Sequence, residues 1–188
     1  KFVERGGVYK GLKPVLWCTQ DQTALAEAEV EYEDHTSPSI YVKFPVVTSP
    51  TVLNHTFPGV SFPEGMKLVS VVIWTTTPWT LPANQAVCLH RDFDYAFVEV
   101  GDELLIVAEK LLDSVVKACA IERYRVVGVK KGGDGFEGLE TQRPLSTGLS
   151  PIVLGDFVTL DQGTGCVHIA PGHGMEDYLL VLDHNAKA

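Results

Sequence analysis

Short apolar stretches bounded by Pro, Gly or Asn dominate the chain from residue 40 onward. Enrichment in β-branched and aromatic residues predicts strands in these stretches, at 40–44, 68–74, 86–90, 124–130, 152–160 and 166–170. The clearest local pattern is YAFVEVGDELLIVA, in which two apolar runs flank Gly101-Asp102. It predicts a hairpin with glycine at the first central position of its turn.

Helical spacing appears in only two places. A helix is predicted over 109–120, and a second is predicted to begin near Met175. Many short strands with few helices indicate an α+β protein. We expect a closed or strongly curved, β-barrel-like sheet with helices packed outside it.

The first 36 residues differ from the rest. In TALAEAEVEYEDH (23–35) the residue types favour helix, whereas the alternation of apolar and acidic residues favours an exposed strand, which we predict. The turn-forming TSPS at 36–39 suggests a junction. We therefore expect a small β-rich connector over 1–36 and the main domain over 37–188. The start carries neither an initiator Met nor an apolar signal-like run, so we expect a segment of a longer protein.

Composition and charge reduce the number of function classes that fit the chain. Of the 188 residues, 45% are hydrophobic and 21% charged, as in globular proteins, and the net charge is −9. Such a charge argues against duplex nucleic acid as an independent partner, although a nucleotide or a single-stranded end remains compatible with it. No apolar run is long enough to span a bilayer. The four cysteines form no CxxC pair, which fits a reducing compartment.

The stretch WTTTPWTLPAN (74–84) follows the strand-like LVSVVI and contains more threonines than a turn needs. One interpretation is a corner fixed by Pro78 and Pro82 with capping hydroxyls. The other is a site whose hydroxyl and amide groups hold a ribose, a carbonyl oxygen or a water. Because the stretch offers no strong base, a hydrolase built here would position its water instead of forming a covalent intermediate.

Two later stretches carry further candidates. GTGCVH (163–168) is either a tight turn feeding a strand or a place where another backbone or a ligand approaches closely. In HIAPGHGMED, the residues His168, His173 and Asp177 are of metal-binding type, but their spacing supports a metal poorly. Asp177 is predicted in the first helical turn, where free N–H groups stabilise a carboxylate. It is either an ordinary helix-start acid or a binding group for an ammonium.

VVIWTTTPWTLPAN and GTGCVHIAPGHGMEDY, in this order, closely resemble the editing domain inserted in the catalytic domain of isoleucyl-tRNA synthetases. KPVLWC and ALAEAEVEY resemble the connector leading into it. The likeness covers essentially the whole chain. Related valyl- and leucyl-tRNA synthetases typically have Thr-Thr-Arg-Pro where this chain has TTTPW, which favours the isoleucyl type.

The resemblance implies hydrolysis of valyl-tRNA(Ile) by a positioned water, and it leaves open whether valyl-adenylate is hydrolysed as well. It implies that Thr76, Thr77 and Asp177 act in catalysis, with Thr77 placing the water or the carbonyl. The implied binding residues for the terminal adenosine, the ester and the amino acid are Thr75, Thr76, Thr77, Trp79, Asn84, His168 and Asp177. Among these, His168 would exclude isoleucine sterically and Asp177 would hold the α-ammonium.

The implied partners are the 3′ CCA end of tRNA(Ile) carrying valine and the rest of the synthetase in cis. No cofactor is implied for editing, because ATP and Mg belong to the catalytic domain, and no HIGH-like or KMSKS-like segment is present for aminoacylation. Relatives often carry a WCxxC zinc motif in the connector, whereas WCTQDQ leaves Cys18 without its second cysteine, so no metal is expected. We expect a monomeric, non-membrane domain in the cytoplasm or an organelle.

Three alternatives remain open at this point. The chain could be the editing domain of a valyl- or leucyl-type synthetase. It could also be a non-catalytic module that binds a nucleotide or amino acid. The third alternative is a metal-dependent hydrolase that uses His168, His173 and Asp177.

Overall fold

The computed structural model describes residues 1–187, with side chains at all of these positions except 50, 186 and 187. The chain divides into two units, one formed by residues 1–35 with those from 171 onward and the other by Thr36–Ala170. The functional division predicted at residue 36, with a connector before it and an editing domain over 37–188, stays a prediction.

Regular structure is mostly strand. The strands are β1 (Trp17–Cys18), β2 (Thr23–Ala24), β3 (Ile40–Pro45), β4 (Leu68–Thr75), β5 (Ala86–Leu89), β6 (Asp94–Val100), β7 (Glu103–Ala108), β8 (Arg125–Lys131), β9 (Glu140–Gln142), β10 (Leu149–Leu154) and β11 (Cys166–Ile169). The α-helices are α1 (Pro50–Thr56), α2 (Leu112–Ala118) and α3 (Met175–Lys187), and 3-10 helices cover Glu27–Glu29, Pro78–Ala83 and Glu109–Leu111. No helix in the described part of the chain is long and apolar enough to cross a membrane.

The predicted α+β class is confirmed, as are the hairpin, the helix starting at Met175 and the strands predicted at 40–44, 68–74, 86–90, 124–130 and 166–170. The strand predicted over 152–160 is confirmed only as far as Leu154, in β10, because residues 155–160 form turns and irregular chain. The exposed strand predicted over 23–35 is wrong, because only Thr23 and Ala24 pair, in β2, and Glu27–Glu29 forms a 3-10 turn. Its alanines and glutamates are mostly exposed, so alternation there buries no apolar face that would favour a strand. The helix predicted over 109–120 begins as a 3-10 turn and α2 ends at Ala118. Both α1 and β9 were missed.

Five strands of the larger unit form one sheet in the order β3-β4-β7-β6-β8. The β6–β7 hairpin turns at Gly101, whose φ of +63° places it in the left-handed region. β4 pairs antiparallel with β3 and parallel with β7, which makes it an interior strand. β7 pairs only with Leu68–Val71 of β4, whereas β3 pairs with β4 as far as Thr75, so β3 holds the end of β4 where the threonine stretch begins.

The other sheet has the order β11-β5-β10-β9, with β5 antiparallel to β11 and parallel to β10. β11 packs against β4, and an isolated bridge joins Val46, directly after β3, to Thr141 of β9. Over residues 1–187 hydrogen bonding closes neither sheet on itself. Of the closed or strongly curved sheet expected from the sequence, closure is not found in the described residues, which form two open sheets in contact.

Alternate residues of β4 serve two cores. Val71 and Ile73 belong to the larger apolar cluster, which also contains side chains from β5, β10 and β11. Val72, on the opposite face, packs in a second cluster with Val115 and Val116 of α2. Burial on both faces explains why LVSVVI reads as a continuous apolar run.

Tyr95 ties the two sheets together. Its hydroxyl donates to the Gly165 carbonyl at 2.7 Å and accepts from the His90 amide at 2.9 Å. Burial raises the pKa of this phenol well above its usual range, so the hydroxyl keeps its proton and remains a donor. The turn preceding β11 is therefore anchored to β6.

Candidate functional site

The threonine stretch is built as a strand end followed by a short helix. β4 ends at Thr75, and the chain then enters the 3-10 helix Pro78–Ala83. Pro78 suits the first position of this helix because no N–H is required there. The helix stops at Asn84, whose backbone N–H donates to the Leu81 carbonyl at 3.1 Å.

Thr75 and Thr77 share a hydroxyl contact. Thr75 is buried, and its Oγ1 accepts a hydrogen bond from the Thr77 amide at 3.0 Å. The two Oγ1 atoms lie 3.2 Å apart, close enough for a further hydrogen bond. Thr77 itself is exposed, so its hydroxyl is both positioned and accessible.

Thr76 and Trp79 face outward. Thr76 is exposed, and its backbone carbonyl accepts from Ser37 Oγ at 2.6 Å. Trp79 is 61% exposed, which leaves an indole face open at the rim of the stretch. An exposed indole is a suitable stacking surface for a nucleobase.

Behind this exposed rim, His168 on β11 is buried, with 8% of its surface exposed. Its Nε2 lies 2.9 Å from Thr80 Oγ1, and its Nδ1 lies 2.7 Å from Asn84 Nδ2. Thr80 Oγ1 in turn donates to the Thr77 carbonyl at 2.9 Å. The imidazole is thus fixed at both ring nitrogens by residues of the 74–84 stretch.

Asn84 is completely buried and fully engaged. Its Nδ2 donates to the Ala86 carbonyl at 2.8 Å and lies 3.4 Å from the Ile169 carbonyl. Its Oδ1 accepts from Ser150 Oγ at 2.5 Å. The surplus polar residues of WTTTPWTLPAN therefore do more than form a corner: together they hold one histidine ring.

The GTG turn before β11 is structural. Gly163 and Gly165 both have positive φ, +81° and +71°. A Cβ at Gly163 would lie 3.1 Å from the Trp74 ring, and one at Gly165 would collide with Ala108. The two glycines therefore allow the close approach of other parts of the chain that the sequence predicted, at Trp74 and Ala108.

Asp177 belongs to the other unit. It is half-buried in the first turn of α3, next to the exposed Glu176. A Cβ on Gly174 would lie 2.9 Å from Asp177 Cγ, so the glycine makes room for the carboxylate beside the start of the helix. The carboxylate lies in the first helical turn, where the helix N-terminus presents free N–H groups.

His173 is exposed. Among the described residues no group of three or more His, Cys, Asp or Glu side chains could hold a metal ion. The metal-dependent alternative that used His168, His173 and Asp177 therefore gains no support from the geometry.

Hydrogen bonds join four of the predicted site residues into one cluster with Thr80 and Ser150. The four are Thr75, Thr77, Asn84 and His168. Thr76 and Trp79 lie on its exposed rim, and the roles of all the predicted residues stay predictions. Sequence reasoning missed Thr80 and Ser150. The position of Thr80, three residues after Thr77 in a turn that begins with proline, could have indicated its place in the cluster. A lone serine in a strand, such as Ser150, gives almost no such indication.

The cluster offers hydroxyls and one hydrogen-bonded histidine ring, with the indole of Trp79 exposed at its rim, but no strong base. Such a set can orient a water and polarise a carbonyl oxygen. Forming a covalent intermediate would require an activated nucleophile, which this hydrogen-bonded cluster does not contain.

Known proteins resemble this chain in sequence. The family model described as class I tRNA synthetases (I, L, M and V) matches residues 1–158. The chain is 51% identical over 186 residues to an isoleucine–tRNA ligase of Petrotoga mobilis, covering 99% of this chain and 18% of that protein. It is 52% identical over 183 residues to the isoleucine–tRNA ligase of Syntrophotalea carbinolica, covering 97% of this chain and 19% of that protein.

A solved structure shares the fold. The editing domain of the P. knowlesi cytosolic leucyl-tRNA synthetase superposes with a TM-score of 0.63 at 15% identity, covering 79% of this chain and 63% of that one. The chain spans less than a fifth of the length of the two ligases that it matches.

Proposed function

This chain belongs to the class I tRNA synthetases (I, L, M and V), and on that premise we propose that it is an editing domain that removes valine from tRNA(Ile). The reaction is hydrolysis of the ester between valine and the terminal ribose. Water adds to the carbonyl carbon, the carbon–oxygen bond to the ribose breaks, and the ribose oxygen takes a proton. The products are valine and uncharged tRNA.

One observation carries the proposal. The buried ring of His168 is held at both nitrogens by Thr80 and Asn84, directly behind a strand end that presents the exposed Thr76 and Thr77. A fixed, neutral ring beside hydroxyl groups suits an aliphatic amino acid next to the ester that must be cut. The identity of about half to isoleucine–tRNA ligases supports the isoleucyl type.

Three further side chains supply the remaining functions. The Thr77 hydroxyl, placed by Thr75, orients the water or stabilises the developing oxyanion. The open face of Trp79 stacks on the terminal adenine. Asp177 holds the α-ammonium of the amino acid through a charge-assisted hydrogen bond.

The proposed activity is useful because the editing site selects the amino acid by size. A pocket that accepts isoleucine rejects valine only weakly, since one methylene is worth about 1–3 kcal/mol, a general figure for which this pair of amino acids is the standard example. A second site that excludes the larger side chain multiplies the discrimination. His168 would form its wall.

We expect this 188-residue chain alone to deacylate Val-tRNA(Ile) in single turnover and to leave Ile-tRNA(Ile) intact, with no loss of rate in a chelator. Thr77→Val removes the hydroxyl and keeps the branched shape, and the rate should fall about 10²-fold, as for loss of one oxyanion donor. Thr147→Val, at an exposed loop threonine, is the matched control and should match the parent. No turnover of Val-tRNA(Ile) by the parent would favour a non-catalytic binding module. Loss of activity in the chelator would favour the metal-dependent alternative.

Asp177→Asn is expected to lower kcat/KM for Val-tRNA(Ile) by about 10- to 100-fold. Hydrogen bonds to charged groups are worth roughly 1.5–3 kcal/mol, and the amide cannot pair with the ammonium. Glu176→Gln removes a charge from the same helical turn and should have little effect, because Glu176 is an exposed neighbour without this role. Equal losses in both variants would show a general charge effect and refute the ammonium contact.

A further inference from the structure

The hydrogen bonds around His168 determine where its proton lies. Two backbone carbonyls, of Ala86 and Ile169, lie on one side of the Asn84 amide at 2.8 and 3.4 Å. Carbonyls only accept, so the amide nitrogen must face them and the amide oxygen must face Ser150. His168 Nδ1, at 2.7 Å from the same nitrogen, therefore faces a donor and must itself accept.

The role of the other ring nitrogen, Nε2, follows from its contact with Thr80. Thr80 Oγ1 uses its only proton on the Thr77 carbonyl at 2.9 Å. It must then accept from His168 Nε2, which lies 2.9 Å away. The ring is consequently neutral, with its proton on Nε2.

The orientation of the Asn84 amide depends in turn on Ser150 and Arg143. Arg143 Nε, which only donates, reaches Ser150 Oγ at 2.9 Å and the Leu149 carbonyl at 2.9 Å. Ser150, fully buried, is left with one proton, which it donates to Asn84 Oδ1 at 2.5 Å. The chain of hydrogen bonds thus runs in one direction, from a permanently charged donor through Ser150, Asn84, His168 and Thr80 to a backbone carbonyl.

We propose that Ser150, directed by Arg143, is a positioning residue that fixes the Asn84 amide and through it the Nε2–H tautomer of His168. Neither residue has to touch the substrate. Their effect on editing rests on the proposed function: a neutral ring, with Nδ1 occupied and Nε2 protonated, is a wall that neither repels the ammonium of the amino acid nor removes a proton. Such a wall selects by shape alone.

The tautomer is measurable without any substrate. In the protein labelled with ¹⁵N at histidine, long-range ¹H–¹⁵N correlation spectra distinguish a protonated from an unprotonated ring nitrogen. The His168 signals are assigned among the six histidines by their absence in His168→Ala. We expect Nε2 protonated and Nδ1 unprotonated in the parent protein, and the reverse would overturn the proposal.

Ser150→Ala removes the donor to Asn84 Oδ1 and lets the amide rotate, so the His168 signals should move towards a mixture of tautomers. Ser150→Thr restores the hydroxyl and should restore the parental signals. The matched control is Ser70→Ala: Ser70 is an equally buried strand serine whose Oγ has no hydrogen-bond partner among the described residues. Its spectrum at His168 should equal that of the parent.

If Ser150→Ala does not fold, Arg143→Met tests the same inference from the half-buried end of the chain, where the aliphatic part of the side chain is kept. An unchanged His168 spectrum in the folded variant would refute the positioning role. In deacylation assays the preference for Val-tRNA(Ile) over Ile-tRNA(Ile) should fall about tenfold in Ser150→Ala, the effect of roughly one hydrogen bond. Absence of deacylation in the parent would reject the proposed function and leave the spectroscopic result standing.

Discussion

His168→Ala is expected to deacylate Ile-tRNA(Ile), which the parent chain should leave intact. The preference for the valyl ester should fall by about 10- to 200-fold, the range for one methylene in an apolar pocket. The ring is buried and held at both nitrogens, so it cannot turn aside for a larger side chain. Single-turnover rates on the two aminoacyl-tRNAs, measured side by side, give this ratio.

His168→Phe separates volume from hydrogen bonding. Phenylalanine keeps a ring at this position but loses the contacts to Thr80 and Asn84, so the variant should be less stable and still reject isoleucine. The steric role is wrong if His168→Ala continues to spare Ile-tRNA(Ile). It is equally wrong if His168→Phe loses selectivity as completely as the alanine variant does.

Asn84→Asp is expected to be among the most destabilising single-atom changes in this chain. The substitution is nearly isosteric, but it replaces the donor that faces the Ala86 carbonyl and His168 Nδ1 by an acceptor. Two buried acceptors then lose their donor at roughly 1–3 kcal/mol each, so the free energy of unfolding should fall by about 4 kcal/mol. For a chain of this length the thermal midpoint should drop by roughly 10 °C, and deacylation of Val-tRNA(Ile) should fall with it.

Asn54→Asp supplies the matched control. Asn54 is exposed on α1, so the same change in charge should cost less than about 0.5 kcal/mol. Thermal unfolding followed by circular dichroism measures both variants. A midpoint for Asn84→Asp close to that of Asn54→Asp would falsify the arrangement of donors and acceptors derived for the His168 cluster.

Local patterns in the sequence were enough to predict most of the strands of the larger unit. The β6–β7 hairpin follows from two apolar runs around Gly101, and the apolar run of β4 follows from burial on both faces. The strand predicted over 23–35 was wrong, because the alternation of apolar and acidic residues there is not accompanied by burial of the apolar side chains. The helix α1 was missed because its seven residues are too few to show a period.

The candidate site, too, was predicted only in part. The excess of threonines in 74–84 marked one half of it, since a turn needs fewer hydroxyls. The identity of the residues that hold His168 could not be read from the chain, because they lie 84 and 88 residues from it in sequence. Ser150, 66 residues from Asn84, gave no pattern at all.

By itself the sequence determined the α+β class, the order of the main strands and the presence of a hydroxyl-rich strand end, since these depend on residue type and short-range spacing. Only the tertiary structure decided that β4 and β11 pack together, that WTTTPWTLPAN surrounds a histidine, and that Arg143 and Ser150 are linked to that ring. The physical reason is that a buried polar group must find a partner wherever packing places one, and packing brings together residues that no local period connects.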